Sequence, residues 1–245
     1  MIKVLLLPLA LMSSFSPSDI KTCEDLLQAM HKHYASSWYK TLTFVQATKR
    51  YQPDSTLLTS TWYETFSFPG SMRIDMDSIG YNGVIFSRDS QYVFRERKLV
   101  STRHFVHLLL LLGFDIYFLP LQETLARLKE SRIDSSILRE DTWQGRAVYV
   151  VGAKKEDSHS SQFWIDKERL TFVRLLQPAG RDGAQTQEVQ FNKYERLSGG
   201  WISPEVIIKL DDKIIMTEEY SEIKAGVKLD PRLFDPQHWQ TARWR

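Results

Sequence analysis

Alternating hydrophobic and polar residues over most of the chain predict antiparallel β-strands. The clearest segment is 161–177, in which an apolar run at 163–165 leads to a charged tip, 166–169, and a second apolar run returns at 170–175. Aromatic and β-branched residues suit a half-buried pleated surface, and a short charged tip suits a hairpin connection. Three further strands, joined by short turns, follow at residues 186–196, 201–210 and 214–223. The C-terminal part of the chain therefore predicts a β-meander.

The first half of the chain carries the same pattern in shorter segments. Residues 38–50, 57–68 and 71–77 each predict a strand. In the second of these, one side of the strand carries Leu58, Trp62, Phe66 and Phe68. Beyond them, Asn82-Gly83 is a dipeptide typical of a two-residue hairpin turn. Further apolar runs that predict strands lie at residues 84–86, 92–94 and 147–152.

The strand at 71–77 has the most regular alternation. Its apolar positions Met72, Ile74 and Met76 alternate with Arg73, Asp75 and Asp77. This period of two predicts one dry face and one face open to solvent. Asp75 and Asp77 share a face, so a general acid/base pair is geometrically possible, but exposure to solvent already explains the pattern. We therefore expect no catalytic role for the two aspartates.

A helix is predicted near the N-terminus. Thr22 and Asp25 have the spacing of a capping box, and a stripe at helical spacing follows at Cys23, Leu27, Met30 and Tyr34. Cys23 is the only cysteine, so no disulfide forms within the chain. A nucleophilic role would require an activating histidine on its face of the helix, and neither His31 nor His33 lies there. Cys23 is expected to be a small buried hydrophobic residue.

Residues 104–132 interrupt the strand pattern. Five consecutive leucines at 108–112 end at Gly113, and after Pro120 leucines recur at helical spacing. This pattern predicts two helices joined around 113–119. A helix that is apolar on every side is either fully buried or lies against another apolar surface. His104 and His107 have the spacing of half a metal site, but no further ligand has suitable spacing, so no metal and no cofactor are expected.

Together these elements predict a mainly β fold. About ten to eleven strands would form a half-open antiparallel β-barrel, with an N-terminal helix and a leucine-rich helical lid at about 104–132. Residues 19–245 would form a single domain. An apolar lid over a curved sheet is one way to build a hydrophobic cavity. From the expected facing of their side chains, the residues predicted to line the cavity and lid are Phe44, Trp62, Phe66, Leu108, Leu109, Leu112, Trp164 and Phe172.

Charge and the first residues restrict the possible functions. The 245 residues carry a net charge of only +2, from 32 basic and 30 acidic side chains, and no basic run is interleaved with aromatics, so no nucleic-acid partner is expected. Residues 1–18 resemble a secretory signal, with Lys3 before a short apolar stretch and small residues after it. The alternative is a buried N-terminal helix. Cleavage of such a signal would leave a soluble protein in the periplasm.

Several short motifs occur in order along the chain: Phe44-Val45-Gln46 and the segments at 68–73 (FPGSMR), 163–166 (FWID), 219–223 (EYSEI) and 229–236 (LDPRLFDP). Together they resemble the LolA-type superfamily of periplasmic outer-membrane lipoprotein carriers. The resemblance spans most of residues 24–236. It implies a half-open barrel whose helical lid covers a cavity for acyl chains, with no catalysis and no metal. Carriers of this family have an arginine before the proline of the Pro-Gly motif, where it helps to hold the lid closed. This chain has Phe68 there, so the same lid contact is not expected.

Three functions are compatible with these patterns. The first is a periplasmic protein that binds lipid or lipoprotein acyl chains for outer-membrane lipoprotein sorting or transport, with an inner-membrane release complex and an outer-membrane acceptor as possible partners. The second is an envelope-stress-type sensor, or interaction module, on the same fold. The third is an enzyme. No G-x-S-x-G, H-E-x-x-H or paired C-x-x-C motif supports the third, and we expect no catalytic residues.

Overall fold

The computed structural model describes residues 20–245, so the predicted signal at 1–18 lies outside the described residues. The first half contains α1 (Cys23–Tyr34), β1 (Thr41–Tyr51), β2 (Leu57–Ser67), β3 (Ser71–Met76), β4 (Asn82–Ser87), β5 (Ser90–Arg95), β6 (Lys98–His104), α2 (Leu108–Gly113) and α3 (Leu121–Glu130). The second half contains β7 (Leu138–Trp143), β8 (Arg146–Val151), β9 (Gln162–Asp166), β10 (Phe172–Ala179), β11 (Gln185–Asn192), β12 (Glu195–Leu197), β13 (Gly200–Ile202), β14 (Glu205–Leu210) and β15 (Lys213–Ala225).

Thirteen of the strands described in residues 20–245 form one antiparallel sheet, in the order β6-β5-β4-β3-β2-β1-β15-β14-β11-β10-β9-β8-β7. Two meanders, one from each half of the chain, are joined where β1 pairs with β15. The edge strands β6 and β7 do not pair with each other, so the barrel stays half open. The segment containing α2 and α3 connects these two edges. The predicted fold class, meander and helical lid are confirmed.

The concave side of the sheet encloses the main hydrophobic core. Along β8, Tyr149 and Val151 face this core, while Val148 and Val150 join a smaller cluster on the opposite side. Burial on both faces explains why this strand is a continuous apolar run without polar alternation. The core is completed by α1 and by the lid, whose side chains fill the end of the barrel around Tyr34 and Tyr117.

Helix α1 begins at the predicted capping box. The Thr22 hydroxyl accepts a hydrogen bond from the Asp25 amide at 3.1 Å, and the Asp25 carboxylate accepts one from the Thr22 amide at 2.9 Å. The predicted stripe is buried, Cys23 included. Burial raises the pKa of the Cys23 thiol to about 12. The thiol therefore stays protonated and acts as a packed hydrophobic group, as predicted.

The prediction that β3 has a solvent-exposed face is wrong for Arg73 and Asp75. Both side chains are fully buried and form an ion pair, with 2.8 Å between Arg73 Nε and Asp75 Oδ2. The C-terminal segment covers this convex face: the Arg73 guanidinium lies 4.2 Å from the Trp239 ring and donates a hydrogen bond to the Trp239 carbonyl at 2.9 Å. Asp77, by contrast, is exposed.

The prediction of a hairpin turn at Asn82-Gly83 is also wrong. Both residues belong to β4, and residues 77–81 make the turn, with Asp77 and Gly80 at positive φ. Gly83 is needed for close packing instead. A Cβ atom there would lie 2.0 Å from the Ile74 carbonyl oxygen and 2.6 Å from the Trp239 ring. The absence of a side chain thus lets the C-terminal segment approach the sheet.

Candidate functional site

Two cavities lie on either side of residues 107–110, at the start of the lid. The interior cavity has a volume of about 90 Å³ and the mouth groove a volume of about 550 Å³. The interior cavity is lined by Phe44, Gln46, Trp62, Glu64, Phe66, Met72, Ile74, His107, Leu109, Leu110, Phe114, Phe191, Glu218 and Tyr220. The mouth groove is lined by residues 104–109, Glu130, Ser131, Leu175, Gln177, Gln187, Val189 and Ile208. His107 and Leu109 contribute to both, so a small shift of these two side chains would join the cavities.

The sheet register places the floor of the interior cavity on three adjacent strands. Phe44 of β1 lies opposite Glu64 of β2, and Gln46 lies between Trp62 of β2 and Tyr220 of β15. Side chains two residues apart on a strand share a face, so these residues all point to the concave side. The Phe44 and Tyr220 rings stack, with their centroids 4.0 Å apart. The walls are therefore mainly aromatic, with a polar group at their centre.

That polar group contains two buried carboxyls. Glu64 is 3% exposed and Glu218 is 9% exposed. Burial raises the pKa of Glu218 to about 7, although hydrogen bonds from Tyr220, at 3.1 Å, and Gln46 partly oppose the rise. Burial also raises the pKa of Glu64 well above its usual range, and the charge of Glu218 adds to that shift. Burial thus raises the pKa of both carboxyls and favours their protonated, uncharged forms.

Aromatic stacking and one hydrogen bond hold the lid against the sheet. Phe68 stacks on Phe114, with ring centroids 4.8 Å apart and planes inclined by 8°. The Gly70 amide donates a hydrogen bond to the Asp115 carboxylate at 2.9 Å. Phe68 thus fixes the end of α2 to the sheet through an aromatic stack that carries no charge.

Ion pairs fasten the outer side of the lid. Arg127 of α3 lies 3.1 Å from an Asp89 carboxylate oxygen and 2.8 Å from Glu123. At the other end, His104 pairs with Glu130. His107 caps α2, because its Nδ1 accepts a hydrogen bond from the Leu110 amide at 3.2 Å. The ion pairs of Arg127 and His104 lie at the surface, where such pairs add little to stability individually, so the aromatic contacts contribute most to holding the lid on the sheet.

Four of the eight predicted lining residues, Phe44, Trp62, Phe66 and Leu109, line the interior cavity, and Leu108 lines the mouth groove with Leu109. Leu112 and Phe172 are fully buried in the core and line neither cavity. The assignment of Trp164 to the concave side is wrong. Its ring belongs to the outer cluster and lies 4.6 Å from the Arg174 guanidinium, because its neighbours Phe163 and Ile165 occupy the concave face.

Glu64 and Glu218 were missed by the analysis of the sequence. Glu64 lies on the same face of β2 as Trp62 and Phe66, and it is the one charged residue on that buried face. Glu218 is buried while its neighbour Glu219 is exposed. A glutamate on the same face of a strand as its apolar residues is therefore the sequence signal that marks both positions.

Protonation of Asp115 is expected to make lid attachment depend on pH. Burial raises the pKa of Asp115 to about 7, while an unfolded aspartate has a pKa near 3.8. Because the folded protein binds this proton more tightly, its contribution to stability is complete below about pH 4 and is lost as the pH rises through 7. At about 1.4 kcal/mol per pKa unit, the loss approaches roughly 4 kcal/mol.

The variant Asp115→Asn isolates this effect, since its amide oxygen can still accept the hydrogen bond from Gly70. Urea unfolding of both proteins between pH 5 and 8 should show that the wild type loses stability relative to the variant as the pH rises. Glu64 and Glu218, whose pKa values are also raised, likewise lower the stability as the pH rises. His107, whose pKa burial lowers to about 4, has the opposite effect on stability. These three groups are common to both proteins and cancel in the difference. Parallel curves would show that Asp115 is not held protonated.

Comparison with known proteins rests on structure. No family model matches the chain, and no curated protein matches its sequence. The structure resembles that of a LolA superfamily protein from Nitrosomonas europaea, with 11% identity and a TM-score of 0.55 over 88% of this chain and 98% of the other. The chain has a LolA-like fold. A "putative outer membrane lipoprotein-sorting protein domain" from Vibrio parahaemolyticus shares this fold, with 13% identity and a TM-score of 0.59 over 89% and 97% of the two chains.

A third structure, a DUF1329 family protein from Desulfovibrio piger, matches with 15% identity and a TM-score of 0.56 over 89% and 98% of the chains. Identities this low establish the shared LolA-like fold alone, so any functional argument must come from the site. No helix within residues 20–245 has the length and apolar character needed to cross a bilayer. In the same range, no three His, Cys, Asp or Glu side chains are grouped as a metal site requires.

Proposed function

We propose that this protein binds the acyl chains of lipids or lipoproteins in the periplasm, without catalysing a reaction, and serves in outer-membrane lipoprotein sorting or transport. The observation that carries the proposal is the arrangement of the two cavities. A mainly apolar groove of about 550 Å³ adjoins a cavity with aromatic walls, and only His107 and Leu109 contribute to both. The groove has the size of a ligand pocket, for which roughly 300–1,000 Å³ is typical.

Hydrophobic burial would supply the affinity. Each methylene removed from water contributes about 0.8 kcal/mol, so eight buried methylenes would contribute about 6 kcal/mol before the cost of association. A longer chain requires more space than the closed lid leaves. Opening of α2 at the Phe68–Phe114 contact would expose the leucines of the lid to the ligand. The carrier cycle would then consist of lid opening, acyl uptake and transfer, with an inner-membrane release complex and an outer-membrane acceptor as the proposed partners.

The test replaces Leu109 by aspartate. Leu109 is only partly buried and lies at the boundary between the cavities, so the change should place a charge in the acyl path without unfolding the core. We expect at least roughly tenfold weaker binding of a fluorescent acylated peptide, equivalent to about 1.4 kcal/mol. Leu125→Asp is the matched control, because Leu125 is also a partly buried lid leucine but lines neither cavity. Equal affinity of folded Leu109→Asp and wild type would refute this path.

A second candidate, a sensor or interaction module, is favoured by the edge of the sheet. All of β6 is exposed, and its apolar residues Leu99 and Val100 are 50% and 56% exposed. An open strand edge of this kind can accept a strand from another protein. Partner binding that needs no lipid and is lost when Val100 is replaced by lysine would support this function over the carrier.

A further inference from the structure

The interior cavity contains a carboxyl group without a partner. Within residues 20–245, Glu64 makes no hydrogen bond and no ion pair, although only 3% of its surface is exposed to solvent. Glu218, on the far side of β1, faces the same cavity. A buried carboxylate is costly unless a cation or a hydrogen-bond donor satisfies it. Glu218 accepts a hydrogen bond from the Tyr220 hydroxyl at 3.1 Å, whereas Glu64 has no such donor, and packing alone does not explain a carboxyl at that position.

No lysine or arginine is among the described residues that line this cavity. The basic group that acts on the charge of Glu218 is Arg50, which is exposed and lies over the Trp62 ring, 5.3 Å from its centroid. His107 carries no positive charge at neutral pH, because burial lowers its pKa to about 4. Among the described residues that line this cavity, two buried carboxyls can accept positive charge and no lysine or arginine supplies it.

We propose that the interior cavity binds the primary ammonium group of an acyl ligand between Glu64 and Glu218. The inference rests on the proposed function, since the acyl chain would occupy the mouth groove beyond Leu109. The volumes fit this division. A space of about 90 Å³ holds a group the size of a few water molecules but no acyl chain, whereas the groove of about 550 Å³ is large enough for a chain.

Charge on both glutamates would be the basis of selectivity. A single ammonium donates up to three hydrogen bonds and can neutralise part of the repulsion between two carboxylates. A hydroxyl group in the same place would leave the charges unpaired. The site therefore distinguishes ligands by their polar end, while the apolar groove accepts the chain.

The preference for an amine should increase with pH. Glu218 has a pKa of about 7, so it carries more charge at pH 8 than at pH 5, and burial also raises the pKa of Glu64. The other titratable groups that line the cavity keep their charge state between pH 5 and pH 8, because burial raises the pKa of Tyr220 well above 10 and lowers the pKa of His107 to about 4. Arg50, at the margin, stays charged throughout. In the mouth groove, Glu130 raises the pKa of His104, which also loses positive charge as the pH rises, so the Glu64→Gln variant is needed to assign a pH-dependent preference to the interior cavity.

The test compares dodecylamine with dodecanol, each at a concentration at which it is monomeric in solution, on the full chain at pH 5 and pH 8. Wild type should bind the amine more tightly than the alcohol by roughly tenfold at pH 8, and by less at pH 5. Glu64→Gln should lose this preference, and a circular dichroism spectrum that matches that of the wild type would show that the variant is folded. Glu219→Gln is the matched control, because Glu219 is the exposed neighbour of Glu218.

The outcomes separate the two proposals. Equal affinities of wild type for amine and alcohol would overturn the ammonium site and leave the acyl site intact. A preference that survives in Glu64→Gln would also overturn it, because the selectivity would then arise elsewhere. Failure of wild type to bind either amphiphile would overturn the proposed function together with this inference.

Discussion

Replacing Trp239 by alanine is expected to lower the free energy of unfolding by about 3–5 kcal/mol, the usual cost of truncating a large buried aromatic side chain. Trp239 is 1% exposed and lies between two groups on the convex face. Its ring stacks on Phe94, with centroids 4.3 Å apart, and the Arg73 guanidinium lies 4.2 Å away. Loss of the ring would also uncover the buried Arg73–Asp75 pair, so the C-terminal segment stabilises the sheet it covers.

Urea unfolding monitored by circular dichroism measures this effect. Tyr51→Ala is a suitable control, since Tyr51 is 42% exposed at the end of β1 and should change stability by no more than about 0.5 kcal/mol. A midpoint for Trp239→Ala that coincides with that of Tyr51→Ala would show that the C-terminal segment is not docked as described.

Truncation of Phe114 should release the lid. Phe114 stacks on Phe68 and lies 5.5 Å from the Phe66 ring, so the change Phe114→Ala removes the aromatic contact that fixes α2 to the sheet. The expected loss is again about 3–5 kcal/mol, but it should affect lid opening more than global unfolding. Amide hydrogens of α2 and α3 should then exchange at least about a hundredfold faster, while those of β1 and β2 change little.

Hydrogen exchange followed by mass spectrometry resolves these regions. Phe118→Ala is the matched control: Phe118 is also in the lid and parallel to Phe68, but it is only partly buried and its ring is 6.2 Å away. Its effect should be clearly smaller. Uniform acceleration throughout the sheet in Phe114→Ala would contradict a lid that opens as a unit.

The edge strands of the sheet are the elements that the hydrophobic pattern predicts least well. Strands β6 and β7 were not predicted, because Lys98–His104 and Leu138–Trp143 lack alternation of apolar and polar residues. Edge strands are mostly exposed and often carry charged side chains, which removes the hydrophobic signal. The central strands, each with a face in the core, were predicted with boundaries within a few residues. The predicted strands 186–196 and 201–210 were too long, because β12 and β13 form a separate two-stranded sheet.

Prediction of the site was limited by contacts between distant segments. Parity along a strand correctly placed Phe44, Trp62 and Phe66 on the cavity side, but it could not say which buried leucines border empty space. The burial of Asp75 was not predictable from β3 alone, because the residue that covers it, Trp239, lies at the other end of the chain. In the same way, the pairing of β1 with β15 decides that Glu64 and Glu218 face one cavity.

Analysis of lipids bound to the purified protein tests the central claim most directly. The full chain would be expressed in a Gram-negative host, purified without detergent and extracted with organic solvent, and the extract quantified by mass spectrometry. We expect close to one acyl-bearing molecule per protein, and much less in the folded Leu109→Asp variant. A folded wild-type protein that carries no lipid and also fails to take up an acylated probe would contradict the claim that the mouth groove and the interior cavity form an acyl-binding site.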